Sequence, residues 1–200
     1  MKIRPISPPF CLKCGRRVAN IDFVCDECSS KDIYIEESWS CCYYEGTIKE
    51  CIHLFKYRGY MGLSDIFESI MTGFIKKHNI GYNIDLVVPV PIHSSKKRDR
   101  NYDHVGILAR LIAANMEIPV DLKNLKKLKW TRSQSELDRE NRLHNLKDSF
   151  FAVDKNAFQG KNILLVDDVY TTGTTINECA KILLGAKAGS VSSLTIARGN

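Results

Sequence analysis

The sequence predicts an α/β domain built on a parallel sheet and preceded by a small four-cysteine module. Three observations carry that prediction. An apolar run at residues 162–166 reads as a buried strand, a helical period follows at 174–184, and a second strand-like run closes the chain at 190–197. Strand, helix and strand in succession call for a right-handed crossover between parallel neighbours. Near the other end, Cys11, Cys14, Cys25 and Cys28 form two CxxC knuckles separated by ten residues. Finally, 200 residues with 44% hydrophobic side chains, twelve Gly and six Pro suffice for one cored domain plus a module, and exclude low-complexity and collagen-like chains.

Two CxxC knuckles present four thiolates tetrahedrally to one Zn²⁺, and in a reducing compartment metal ligation prevails over disulfides. Four cysteine ligands close the coordination shell, so the expected zinc is structural and activates no water. Loss of the metal, or a disulfide pair, is the other reading. Cys41, Cys42, Cys51 and Cys179 lack metal spacing and fall in apolar segments, which predicts buried structural thiols. The module is expected over residues 1–32 and the main domain over 33–200.

Residues 33–44 are rich in β-branched and aromatic side chains and have room for one or two strands. A helical stripe of Ile48, Cys51, Ile52 and Phe55 then runs to the breaker Gly59. A second helix is expected over 63–77, with Ile66, Phe67, Ile70, Phe74 and Ile75 apolar. Residues 85–90 read as a buried strand stopped by Pro89 and Pro91. A helix over 103–114 shares one face among Val105, Leu108 and Leu111 or Ile112, and a short strand is expected near Val120. Residues 126–145 are too charged for a core and predict a loop with a short helix, before a short strand at 150–153. His53, His78 and His144 lack partner spacing and predict surface or satisfied polar roles. Trp39 is expected in the core, and Trp130 as a loop anchor or a platform for a base.

The net charge of +6 is not spread evenly: residues 96–147 hold 13 basic and 7 acidic side chains, which accounts for the whole surplus. This segment expects anions such as phosphates or nucleic acid, a solvated basic face being the alternative. No apolar run approaches the ~20 residues that span a bilayer, and prolines interrupt the N-terminal segment before a signal sequence forms, so a cytoplasmic protein is expected.

The stretch NILLVDDVYTTGTT at residues 162–175 carries the most chemistry. A buried strand delivers two acids and then a small-residue turn into a helix. Ligands bind at the carboxyl ends of parallel strands, and Gly173 lets the backbone approach one closely. Amides at the helix start, with the hydroxyls of Thr171, Thr172, Thr174 and Thr175, suit a phosphate. Asp167 and Asp168 repel that anion unless they bind something else, and ribose hydroxyls or a Mg²⁺ complex fit. A sugar phosphate is implied. GxxxxGK followed by Ser or Thr is absent, and so is GxGxxG.

This stretch resembles the signature of type I phosphoribosyltransferases, departing from it at Tyr170, where an aliphatic residue is usual. More of the chain is similar to the competence protein ComF group. The four-cysteine module, LFKYRG at 54–59, VVPVP at 87–91 and TRSQSELDRENRLHNLKDSF at 131–150 follow that family's order. Arg100, Asn101, Tyr102, Asp103 and His104 depart from its usual Arg, Gly, Phe, Asn and Gln.

The resemblance implies a type I phosphoribosyltransferase-like sheet flanked by helices, binding 5-phosphoribosyl 1-pyrophosphate with Mg²⁺. The 5-phosphate falls on Thr171, Thr172, Gly173, Thr174 and Thr175, and the ribose hydroxyls on Asp167 and Asp168. The turn after residue 91 takes the place of the pyrophosphate loop, with His93, Ser94, Ser95, Lys96, Lys97, Arg98 and Arg100 as donors. Residues 127–145 resemble the hood that closes over the ligand, with Arg132, Gln134 and Arg142 as its candidates, or with Arg142 and Asn145 merely tying the loop down. Transfer to an unspecified acceptor is one implied function. The other is a non-catalytic sensor or single-stranded-DNA and helicase-partner module of DNA uptake in natural transformation. No glutamine amidotransferase domain is legible, and a homodimer is implied only by the relatives.

Overall fold

The computed structural model describes residues 3–19, 24–92, 102–127 and 149–199. Its strands are β1 (Ser38–Tyr43), β2 (Leu86–Pro89), β3 (Leu125–Lys127), β4 (Phe150–Ala152), β5 (Asn162–Tyr170) and β6 (Ser190–Arg198). Its helices are α1 (Asp26–Ser29), α2 (Gly46–Arg58), α3 (Leu63–His78), α4 (His104–Met116) and α5 (Thr174–Gly185). Four strands form a parallel sheet in the order β1-β6-β5-β2, while β3 and β4 pair antiparallel apart from it.

Strand β5 shows why the sheet is covered on both sides. Successive residues of a strand face opposite ways, and β5 is apolar on both faces, as a buried parallel strand must be. Ile163 and Leu165 join one core with Ile176, Cys179 and Leu183 of α5. Leu164 and Val166 join the other, with Ile52 and Phe55 of α2, Phe67 and Met71 of α3, and Leu108 and Ile112 of α4. All four β5 side chains are fully buried. Among the described residues, no helix is long and apolar enough to cross a membrane.

The expected elements appear, with two differences. Residues 33–44 hold one strand, within the one or two expected, whereas the strand expected near Val120 is a single bridge to Val87. The strand expected over 162–166 runs on to Tyr170, so Asp167 and Asp168 lie inside it. Ladder pairing of Val169 with Ala197 and of Tyr170 with Arg198 carries the strand through two poor β formers. Most of the segment expected as loop and hood lies outside the described residues, apart from β3.

The four-cysteine module is docked on the domain. Residues 4–6 lie against the edge of β1, where Ile6 N–H donates to Cys41 O at 3.0 Å and Tyr43 N–H to Arg4 O at 3.0 Å. Gly15 has φ +68°, and a Cβ there would stand 2.8 Å from Ser38 O, so this knuckle needs glycine. Cys11, Cys14 and Cys28 share the core of α5. Cys41, Cys42 and Cys179 are buried thiols as expected, and Cys51 is half-buried.

Candidate functional site

The carboxyl end of β5 opens into a pocket lined by Asp167, Val169, Tyr170, Thr171, Gly173, Thr175 and Ile176. Gly173 caps α5 at φ +75°, a left-handed conformation in which a Cβ would collide with the Tyr170 hydroxyl. Glycine supplies no side-chain cap, so the first turn of α5 presents backbone amides and the positive end of its dipole to the pocket. The Thr172 and Thr174 hydroxyls lie 2.9 Å apart and tighten the turn.

Asp167 and Asp168 point to opposite faces of the sheet. Asp167 is half-buried and lines the pocket. One of its oxygens accepts from the Asp168 N–H at 2.8 Å. Asp168 is 3% exposed and faces α2 and α4, where Oδ2 lies 2.5 Å from Lys56 Nζ and 3.1 Å from His104 Nε2. Burial pushes both carboxyls up. For Asp168, the Lys56 ammonium and the His104 hydrogen bond outweigh burial and hold it well below the usual carboxylate range. For Asp167, the neighbouring Asp168 charge adds to burial and pushes it up to about 7. Lys56 is raised: burial works against its charge, and Asp168 outweighs that cost.

Lys56 and His104 are the residues that sequence reasoning missed. Both carried a signal. Lys56 falls four residues after Ile52, which itself follows Ile48 by four, so it continues an inward stripe. His104 precedes Leu108 and Ile112 at the same spacing. A polar residue on a core stripe needs a partner, and Asp168 is that partner. Tyr102 fixes the pair: its hydroxyl donates to Phe55 O and accepts from Gly59 N–H at 3.1 Å, binding the entry of α4 to the end of α2.

The four cysteines form the other chemical cluster, with sulfurs all within 4.8 Å of one another and Cys14 and Cys25 3.8 Å apart. Zn–S bonds of about 2.3 Å in a tetrahedron separate sulfurs by about 3.8 Å, so the donor set fits zinc. Burial pushes the Cys14 thiol up to about 11, and a bound cation would reverse this by taking the thiolate. His93, Ser94, Ser95, Lys96, Lys97, Arg98, Arg100, Trp130, Arg132, Gln134, Arg142, His144 and Asn145 lie outside the described residues.

Residues 66–200 match the family model of the phosphoribosyl transferase domain. Competence protein ComFC of Bacillus subtilis (strain 168) is 28% identical over 204 residues, covering 98% of this chain and 81% of that protein. DNA utilization protein YhgH of Salmonella typhimurium is 24% identical over 184 residues, covering 90% of this chain and 80% of that protein. Among solved structures, glutamine phosphoribosylpyrophosphate amidotransferase from B. subtilis aligns with a TM-score of 0.45 at 20% identity. That alignment covers 66% of this chain and 26% of the solved chain, so this chain spans about a quarter of that protein.

Proposed function

Because the chain belongs to the phosphoribosyl transferase domain family, we propose that it binds 5-phosphoribosyl 1-pyrophosphate with Mg²⁺ at the carboxyl end of β5, as the donor site of a phosphoribosyl transfer. One observation carries this reading: a carboxylate, a glycine held at positive φ and a threonine-rich helix start line a single pocket. Phosphate suits the amides and hydroxyls of residues 171–175, and the ribose hydroxyls suit the acidic strand end. Mg²⁺, when bound, neutralises pyrophosphate charge. In transfer, the bond from the anomeric carbon to pyrophosphate breaks with its electron pair on the leaving group. The acceptor forms the new bond and loses a proton. Positive charge developing on the ribose ring favours a carboxylate beside it, and His93, Ser94, Ser95, Lys96, Lys97, Arg98 and Arg100 are assigned to the leaving group. Arg132 and Arg142 are assigned to the covering segment. The cysteine module holds structural zinc, and the protein acts in the cytoplasm.

The first test is calorimetric titration of the zinc-loaded protein with 5-phosphoribosyl 1-pyrophosphate and Mg²⁺, beside an Asp167→Asn, Asp168→Asn double variant. Binding is expected for the wild type and lost in the variant. A folded wild type that gives no heat overturns the reading.

A second reading is favoured by the names of the relatives and by an aromatic, basic surface at the end of α2. Tyr57 is 46% exposed and Tyr60 59%, with exposed Arg58 between them. In this reading the pocket senses its ligand without turnover, and the chain serves DNA uptake by holding single-stranded DNA or a helicase-like partner, bases stacking on the tyrosines. Acceptor-dependent release of pyrophosphate favours the enzyme. Ligand binding without turnover, with steeply salt-dependent affinity for single-stranded DNA, favours the module.

A further inference from the structure

We propose that the acidic pair of β5 divides its work: Asp167 alone contacts the ligand, whereas Asp168 is a positioning residue held from beneath by Lys56 and His104. This deepens the reading of a ribosyl pyrophosphate site and rests on it. Strand alternation sends the two carboxylates to opposite sheet faces, and only Asp167 lines the pocket. A carboxylate offers about four acceptor sites, so the oxygen of Asp167 that takes the Asp168 N–H leaves capacity for ligand hydroxyls.

Asp168 is already occupied. It is 3% exposed, and a single oxygen takes both the Lys56 ammonium at 2.5 Å and the His104 ring at 3.1 Å. A divalent cation entering there would sit beside an ammonium ion, so ligand-borne Mg²⁺ is kept away from this carboxylate. Lys56 takes the place of the metal as the counter-charge. The Lys56 side chain is 27% exposed, at the boundary between core and surface, and Tyr102 clamps the helix end that carries it. The bond from Asp168 N–H to Asp167 then passes this anchoring on to the ligand-facing acid. The segment LFKYRG, unassigned on sequence grounds, acquires a role: it delivers the cation that sets the strand end.

The test measures affinity for 5-phosphoribosyl 1-pyrophosphate with Mg²⁺ and ligand-free Tm on the same zinc-loaded proteins. Asp167→Asn is expected to weaken binding about 10- to 100-fold, the value of a hydrogen bond to a charged group, without lowering Tm. Lys56→Met strands a buried carboxylate, and Tm is expected to fall by about 10 °C with weakened binding. Adding Asp168→Asn to Lys56→Met removes the stranded charge, so both Tm and affinity should recover, affinity to within about 5-fold of wild type. A structural role without positioning would let Tm recover and leave affinity untouched throughout. Loss of binding in the folded double variant as deep as in Asp167→Asn overturns the division of work. If the wild type binds nothing, the ligand reading fails with it, whereas Tm rescue still reports the Lys56 and Asp168 anchor separately.

Discussion

At the scale of single residues, the two acids of β5 respond to pH in opposite directions. Asp168 has a folded pKa below its unfolded value near 3.8, so its stabilisation is complete above that value and is lost as pH falls through it. Asp167 has a folded pKa raised to about 7, so the ligand-free protein is stabilised below pH 4 and loses that contribution as pH rises toward 7. Thermal melts of Asp167→Asn should therefore lack the decline between pH 4 and 7, and melts of Asp168→Asn should lose the acid-side drop. Identical pH profiles for both variants would contradict these assignments. Gly173 offers a second test at this scale. Its φ of +75° costs an L-residue about 1–2 kcal/mol, and the Tyr170 hydroxyl adds a collision. Gly173→Ala should lower stability by at least that amount, and Tyr170→Phe should recover part of it by removing the oxygen. No recovery in the double variant would mean that backbone strain accounts for the whole loss.

Elements were legible where their signal was local. The stripe from Ile48 to Phe55 and the breaker Gly59 announce α2, and the spacing of Cys11, Cys14, Cys25 and Cys28 announces the module. Contacts between distant segments left no such trace. Lys56 and Asp168 are 112 residues apart, and no period links them. The end of β5 was misread for a related reason: two aspartates are poor β formers, and pairing with β6 keeps them in a strand. Docking of the module on α5 is equally non-local. The Asn177 side-chain oxygen accepts from Tyr34 N–H at 2.7 Å, and its nitrogen donates to Asp32 O at 3.0 Å, across more than 140 residues. Asn177→Ala removes both bonds and should cost about 1–3 kcal/mol, a fall in Tm of roughly 2–10 °C. Zinc content should not change, since no metal ligand is touched. A variant that melts with the wild type would show that these two bonds do not help to seat the module.

For the whole molecule, the geometry joins the cysteine cluster to the pocket at the end of β5 through a short path. Arg198, at the end of β6, donates to Cys14 O, and its guanidinium lies 4.8 Å from the centre of the Tyr170 ring. Tyr170 in turn packs under Gly173, the residue that caps the start of α5. Cys11, Cys14 and Cys28 also share their core with Ile176 and Cys179 of α5, so the module is part of the wall behind the pocket. A closed four-cysteine zinc site contributes folding free energy, and its removal should loosen what packs on it. Stripping the metal with a chelator is therefore expected to speed amide hydrogen exchange at residues 173–180 and to weaken binding of 5-phosphoribosyl 1-pyrophosphate. Linkage makes the effect reciprocal: the ligand must tighten zinc by the same factor by which zinc tightens the ligand. Competition for zinc with a chromophoric chelator, with and without ligand, measures one factor, and calorimetry on loaded and stripped protein measures the other. Equal factors above one establish that the module helps to shape the pocket. Unchanged exchange and affinity in the stripped, folded protein would reduce it to a separate docking element that shares a core with the domain but none of its chemistry.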